Sequence, residues 1–461
     1  MNHDTCTRAA APQILLFFAV AASGTAYGDL LSAQAAYNKG AYQQALEEYR
    51  GLAELGEPTA QFDLAVMYAR GLAVPQSELY AYAWASLAAE NGDKNGRALE
   101  QKLQPDLAPG SRPGVEEIRN QFGRQALEER LLPKIQDDES AEAQERQSCR
   151  TTRLHTPQFP SSAFREGVQG GVYAEYTLLA DGSARNPRVI YAQPQGVFDA
   201  AVRESLLHSR FAGSAGKPIQ CTSYYDFVNA GGFDVAPRNL LAYVEKVHAQ
   251  AQAGAAGSQL LYGLLIAGLP QLQRPRSEAM SWFLHAAQSG SAVAQYQVGY
   301  SLLTGWGCQR DEKKALQWLQ LAADHDQPNA QVTLAEYSLR GTPDEAQVRQ
   351  AKGWLERAAA SGSRDGKVNL AVLLAAGPYA DVRDPARARS LSEEAFAGVE
   401  DDPTGLEIRA AAAANAGNFD TATTEEQKAL GQASGLAWNL APLKDRLSHY
   451  RSHQAWNGNL L

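Results

Sequence analysis

Ala315-Leu316-Gln317-Trp318-Leu319-Gln320-Leu321-Ala322-Ala323-Asp324-His325-Asp326 decides the architecture, because its pattern returns at a fixed interval along the chain. Trp282, Trp318 and Trp354 stand 36 residues apart. Ala279, Ala315 and Ala351 lie three residues before them, and the pairs Ala286-Ala287, Ala322-Ala323 and Ala358-Ala359 lie four and five residues after. Gly290, Asp326 and Gly362 follow at eight. The preceding half keeps the same register, with Ala294 and Ala330, then Val298, Leu334 and Leu370. A period of this length marks a stacked repeat array.

Each unit reads as two short helices. In Ala330-Gln-Val-Thr-Leu334-Ala335-Glu-Tyr the apolar positions recur at helical spacing. A glycine-rich turn such as Gly305-Trp306-Gly307 reverses the chain. In the second helix the alanines allow close approach, the Trp fills the space between neighbours and the Gly ends the helix. One hairpin cannot bury its apolar face alone, whereas stacked copies bury a continuous core. The expected repeat core is therefore Trp84, Trp282, Trp318 and Trp354.

This signature resembles the Sel1-like repeat, a relative of the tetratricopeptide repeat. It is strongest over 258–362 and appears earlier in Ala60-Gln-Phe-Asp-Leu64-Ala65-Val-Met-Tyr68-Ala-Arg-Gly71 and Ala81-x2-Trp84-x2-Leu87-Ala88-Ala89-x2-Gly92. A partial unit with Ala45, Tyr49, Leu52-Ala53 and Gly56 precedes it. Residues 93–148 read as a helical buttress closing the first array. Residues 236–400 form the second array, and 401–461 are its degenerate helical cap.

Between the arrays the period breaks. Gly171–Leu179 alternates as a strand, Asp181-Gly182 is a hairpin turn, and Arg188–Ala192 returns as a second strand. Phe198–Leu207 has helical spacing, and Cys221–Phe227 supplies a last strand. The order β-β-α-β packs one helix on a three-stranded antiparallel sheet. Cys149 and Cys221 bracket this segment and are the expected disulfide, with Cys308 left free; three unpaired thiols is the other reading.

The ordered motifs Pro157-Gln-Phe159-Pro160, Gly170-Gly171-Val172, Asp181-Gly182, Val189-Ile190, Pro194-Gln195-Gly196-Val197-Phe198-Asp199-Ala200-Ala201 and Arg210-Phe211 resemble the C-terminal domain of TonB, the envelope energy transducer. The resemblance spans 149–235. It implies that the last strand accepts an extended peptide by strand addition, here at Cys221, Thr222, Ser223, Tyr224, Tyr225, Asp226 and Phe227. A transducer also has an uncleaved anchor and a proline-rich spacer, and carries this domain at its C-terminus. This chain departs from all three.

The 461 residues exceed one ordinary core. With 44% hydrophobic residues, 20% charged residues and a net charge of −9, a nucleic-acid footprint is not expected. Arg8, the apolar run Ile14–Ala22 and the small residues up to Gly28 have the layout of a cleavable export signal, residues 1–28. The mature chain is then expected in the periplasm without a transmembrane span; an inner-membrane anchor is the rival reading.

Motifs for chemistry are sparse. Only His449 and His453 are spaced at i, i+4, with no accompanying carboxylate motif. Gly213-Ser-Ala-Gly216-Lys217 fails as a phosphate loop because Phe211 and Pro218 occupy its required positions. No catalytic residue, cofactor or metal ligand is assigned. The sequence reads as a mainly α solenoid with an inserted small α+β unit, an envelope scaffold for a protein or peptide partner such as an outer-membrane protein. A TonB-type transducer and an enzyme without a recognisable motif are the rival readings.

Overall fold

The computed structural model describes residues 29–107, 109–137, 148–168, 170–213, 219–227, 237–268, 272–458 and 460. The export-signal reading, most of the loop over 213–217 and the stretch 228–236 lie outside the described residues. Helices pair along the first array: α1 (Leu30–Asn38) with α2 (Tyr42–Glu54), and α3 (Pro58–Arg70) with α4 (Glu78–Glu90). The buttress follows as α5 (Lys94–Leu103), α6 (Arg112–Phe122) and α7 (Arg124–Arg130).

A small mixed unit comes next. It runs β1 (Thr151–Arg153), α8 (Ser161–Glu166), β2 (Gly170–Leu178), β3 (Ala184–Gln193), α9 (Asp199–His208), β4 (Arg210–Phe211) and β5 (Ile219–Phe227). Its main sheet is antiparallel in the order β3-β2-β5, and β1 pairs separately with β4. Val172, Ala174, Tyr176 and Leu178 of β2 face a core shared with Phe198, Val202 and Leu206, which is the strand alternation at work. A disulfide joins Cys149 to Cys221 across 5.8 Å between Cα atoms.

The second array runs α10 (Pro237–Gln252), α11 (Ala256–Gly268), α12 (Arg276–Gln288), α13 (Ala292–Thr304), α14 (Glu312–Asp324), α15 (Pro328–Ser338), α16 (Glu345–Ala360), α17 (Arg364–Ala376) and α18 (Pro385–Ala395). The cap is α19 (Pro403–Asn415), α20 (Phe419–Gly435) and α21 (Ala441–Arg451). The residues that end the second helix of each repeat, Gly290, Asp326 and Gly362, all take positive φ, at 95°, 53° and 87°. That backbone explains the register, and Asp326 is tolerated there with its carboxylate 2.9 Å from Arg357. Close approach explains another position: a Cβ on Gly299 would sit 2.8 Å from Leu319 and 3.0 Å from its backbone nitrogen.

A polar position recurs as strictly as the tryptophans. The side-chain amides of Gln61, Gln295 and Gln331 donate to the carbonyls of Ala53, Ala287 and Ala323, at 3.1, 3.2 and 3.0 Å. Each glutamine lies in the first helix of a unit and satisfies a carbonyl at the end of the preceding helix, where intrahelical partners run out. The same register holds Lys367 in the next unit, which instead pairs with Glu394 at 2.8 Å.

The tryptophans are not equivalent. Trp318 is fully buried and Trp84 nearly so, whereas Trp282 and Trp354 are half-buried. Trp84 is covered by Phe122 of α6, and Trp318 by the trailing segment of the first array, which crosses the second. Trp318 Nε1 donates to the Leu131 carbonyl at 2.9 Å, Lys314 Nζ to that of Leu132 at 2.9 Å, and Ile135 bridges to Cys308. Gln288 Nε2 reaches the Leu55 carbonyl at 2.9 Å, so the two arrays pack as neighbours.

Candidate functional site

The first helices of the repeats, α11, α13, α15, α17 and α19, are the ones that face the small unit, as the inner, concave-side helices of a curved repeat stack do. The small unit sits in that concavity. Its sheet turns Tyr173, Glu175, Ile190 and Tyr224 away from its own core and toward these helices, so that Tyr173 and Ile190 join the array's hydrophobic core. The approach at the end of α11 is tight, since a Cβ on Gly268 would lie 2.7 Å from that of Tyr224.

A polar network completes the contact. Tyr296 of α13 donates to Glu175 at 3.2 Å, and Arg188 lies 3.6 Å from Glu175 and 3.4 Å from Glu336 of α15. Glu175 and Arg188 are 2% and 8% exposed, which makes their pairing obligatory. Burial pushes the Glu175 carboxyl above its usual range, and Arg188 opposes the shift. Burial works against the Arg188 charge as well, but the carboxylates of Glu336 and Glu175 outweigh it and hold its pKa well above the ordinary value.

A second set of contacts ties the β2–β3 hairpin to the cap. The Arg185 guanidinium stacks 3.2 Å from the Trp438 ring centroid and lies 3.9 Å from Glu407. Arg446 pairs with both Glu407 and Glu426. The Asn439 N–H donates to Asp181 at 3.2 Å. Burial lowers the Arg185 pKa to about 10 and raises that of Glu426 to about 7, against the pull of Arg446 on the latter.

Between these two anchors the concavity stays open as a cavity of about 1380 Å³. One wall is α17, which presents Arg364, Asp365, Val368, Asn369, Val372 and Leu373. The facing wall is α9, which presents Ala200, Arg203, Glu204, Leu207 and His208. Both sets follow helical spacing, so each wall is one continuous helix face. Leu339, Phe396 and Leu436 add apolar surface.

The candidate strand Cys221–Phe227 falls within β5, an edge of the three-stranded sheet, and its inner edge pairs with β2 from Gly170 to Leu178. Cys221 points into the small core and Tyr224 toward the array. No other strand pairs with β5 among the described residues. Cys308 is buried and unbridged, and burial pushes its thiol up to about 12. Among the described residues no group of three or more His, Cys, Asp or Glu is placed to hold a metal, and no helix is long and apolar enough to cross a membrane. The cleft itself was missed in the sequence reading. Its only sequence signal is the i, i+3, i+4, i+7 stripe of mixed polarity at Ala200, Arg203, Glu204 and Leu207.

Stacked helix pairs with an open concave groove define the chain as a helical-repeat scaffold. The Sel1 repeat family matches residues 58–93, 292–327 and 328–363, which are the pairs α3–α4, α13–α14 and α15–α16, so the chain contains Sel1 repeats. Such repeats generally mediate protein–protein interaction. The chain is similar to three solved structures. One is a Sel1 repeat protein from Oxalobacter formigenes, with 21% identity over 43% of this chain and 85% of that one and a TM-score of 0.33. Another is c5321, a protective antigen present in uropathogenic Escherichia coli strains displaying an SLR fold, with 15% identity over 92% and 79% and a TM-score of 0.35. The third is yeast Tom70, with 13% identity over 91% and 79% and a TM-score of 0.29. No curated protein matches the chain significantly.

Proposed function

We propose that this chain is a non-catalytic scaffold of the bacterial cell envelope that holds a segment of a partner protein in the open half of its concave face. The observation that carries the reading is the cleft of about 1380 Å³ between α17 and α9, a preformed groove on the surface that repeat arrays use for binding. Location rests on the sequence alone, through the export-signal pattern before Asp29 and the TonB-like motif order in 149–235.

Selection of a random dodecapeptide library against the full chain tests the groove. Binders should be lost when Ala200→Trp or Val372→Trp fills it, while thermal unfolding of both variants stays cooperative. Binding indifferent to both substitutions would overturn the reading. Mass spectrometry of the protein recovered from cells tests the location, with a mature start near Tyr27 or Asp29 expected.

The position of β5 at a sheet edge favours a second reading, in which the small unit captures an extended peptide by strand addition as part of a TonB-type transport system. An intact Met1 region, together with binders that survive the cleft substitutions, would favour it over the first.

A further inference from the structure

Several charges in the cleft are held by the fold, and one guanidinium is left with an orphaned donor. Arg188 pairs with Glu175 and Glu336. Asp402 is engaged in capping α19, accepting the Thr404 N–H at 2.8 Å. Arg364 donates through Nε to the Ala395 carbonyl at 3.0 Å, lies over the Phe396 ring, and has Asp365 at 3.9 Å. Arg203, on the opposite wall, is different. Its Nε is buried without a hydrogen-bond partner, and it forms no ion pair among the described residues.

The two guanidinium groups come from elements more than 150 residues apart, yet they share one cavity and repel each other. Burial lowers the Arg364 pKa first, and the charge of Arg203 lowers it further. A half-buried guanidinium with one orphaned donor, sharing a cavity with a second cation, is favoured by an anion that enters between them. Guanidinium forks present planar donors that match a carboxylate.

We infer that Arg203 and Arg364 form a carboxylate-reading pair, which takes an acidic side chain of an extended partner segment lying along α17. The inference rests on the cleft being the binding groove. It also sets the spacing of the ligand. Val368 and Val372 lie one and two turns beyond Arg364, roughly 6 and 12 Å along the helix axis. An extended peptide rises about 3.3 Å per residue, so apolar side chains are expected about two and four positions from the acidic one.

Displaying the library with its C-terminus fused to the carrier leaves Asp and Glu side chains as the carboxylates of the random segment. Binders that depend on the cleft should be enriched in an acidic residue with apolar neighbours at that spacing. Arg203→Gln and Arg364→Gln should each weaken them about tenfold, the effect of one charge-assisted contact. Arg203→Lys, which keeps the charge but loses the fork, should recover part of the loss. Cleft-dependent binders without acidic enrichment, or with unchanged affinity for Arg203→Gln, would overturn the carboxylate pair and leave the groove standing. Binders insensitive to Ala200→Trp and Val372→Trp would instead remove the groove and the pair together.

Discussion

The two halves of the concave face are built from one repeat and end differently. Tyr300, Glu336 and Val372 occupy the same register in α13, α15 and α17. In the first half that register meets the inserted sheet, where Arg188 is matched to Glu336 and Glu175 to Tyr296. In the second half it meets open space, flanked by an arginine with no partner. Where buried charges are paired across the contact, the surface serves the fold. Where one is not, the surface is set for something from outside.

Breaking the filled half should have the largest effect. Arg188→Ala would leave Glu175 buried beside no cation, and removing one partner of a buried pair costs about 3–5 kcal/mol. Urea unfolding should show a midpoint shift of that order with an unchanged slope. A loss below about 1 kcal/mol, the value of an exposed pair, would mean that the sheet is not seated firmly on the array.

The repeat polar clamp comes next. Gln295→Leu removes the bond to the Ala287 carbonyl, which still accepts the Gly290 N–H at 3.1 Å, so the loss is that of one buried hydrogen bond, about 0.5–1.5 kcal/mol. The same change at Lys367 should cost less, since that side chain makes an ion pair with an exposed Glu394. Equal losses at both positions would deny the clamp its structural role.

The buried charge network of the cap, onto which the hairpin docks, should respond to pH. Folding raises the Glu426 pKa to about 7 from an ordinary value near 4.5, so the folded chain binds more protons between those values. Stability from this group is therefore fully present below about 4.5 and declines as pH rises through 7. Glu426→Gln should flatten the slope of Tm against pH in that window, and an unaltered slope would assign the dependence to another group.

Much of this was legible beforehand, for physical reasons. The Trp and Ala positions must repeat because each helix packs against copies of itself, so periodicity in sequence is periodicity in space. Gln61, Gln295 and Gln331 were equally visible, but a polar residue beside a core alanine reads as surface until its carbonyl partner is known. Glu175 is silent in sequence for a related reason. A carboxylate between Ala174 and Tyr176 has the pattern of a solvated strand face, and its burial with Arg188 depends on docking against Tyr296 and Glu336 far along the chain. The cleft needed the same long-range information, because Arg203 and Arg364 share no local pattern.

The smallest effect is the most discriminating. Arg203 has no ion pair among the described residues and repels Arg364, so its removal should not destabilise the chain. Arg203→Gln is expected to leave stability unchanged or raise it by up to about 1 kcal/mol, as when a binding group held against the fold's interest is removed. Arg185→Gln, on the same small unit, would lose its stacking on Trp438 and its approach to Glu407 and should destabilise instead. Differential scanning calorimetry of the two variants side by side reads the contrast directly. If Arg203→Gln unfolds earlier than the parent protein, Arg203 belongs to the filled half in energetic terms, and the open half has no unmatched charge to offer a partner.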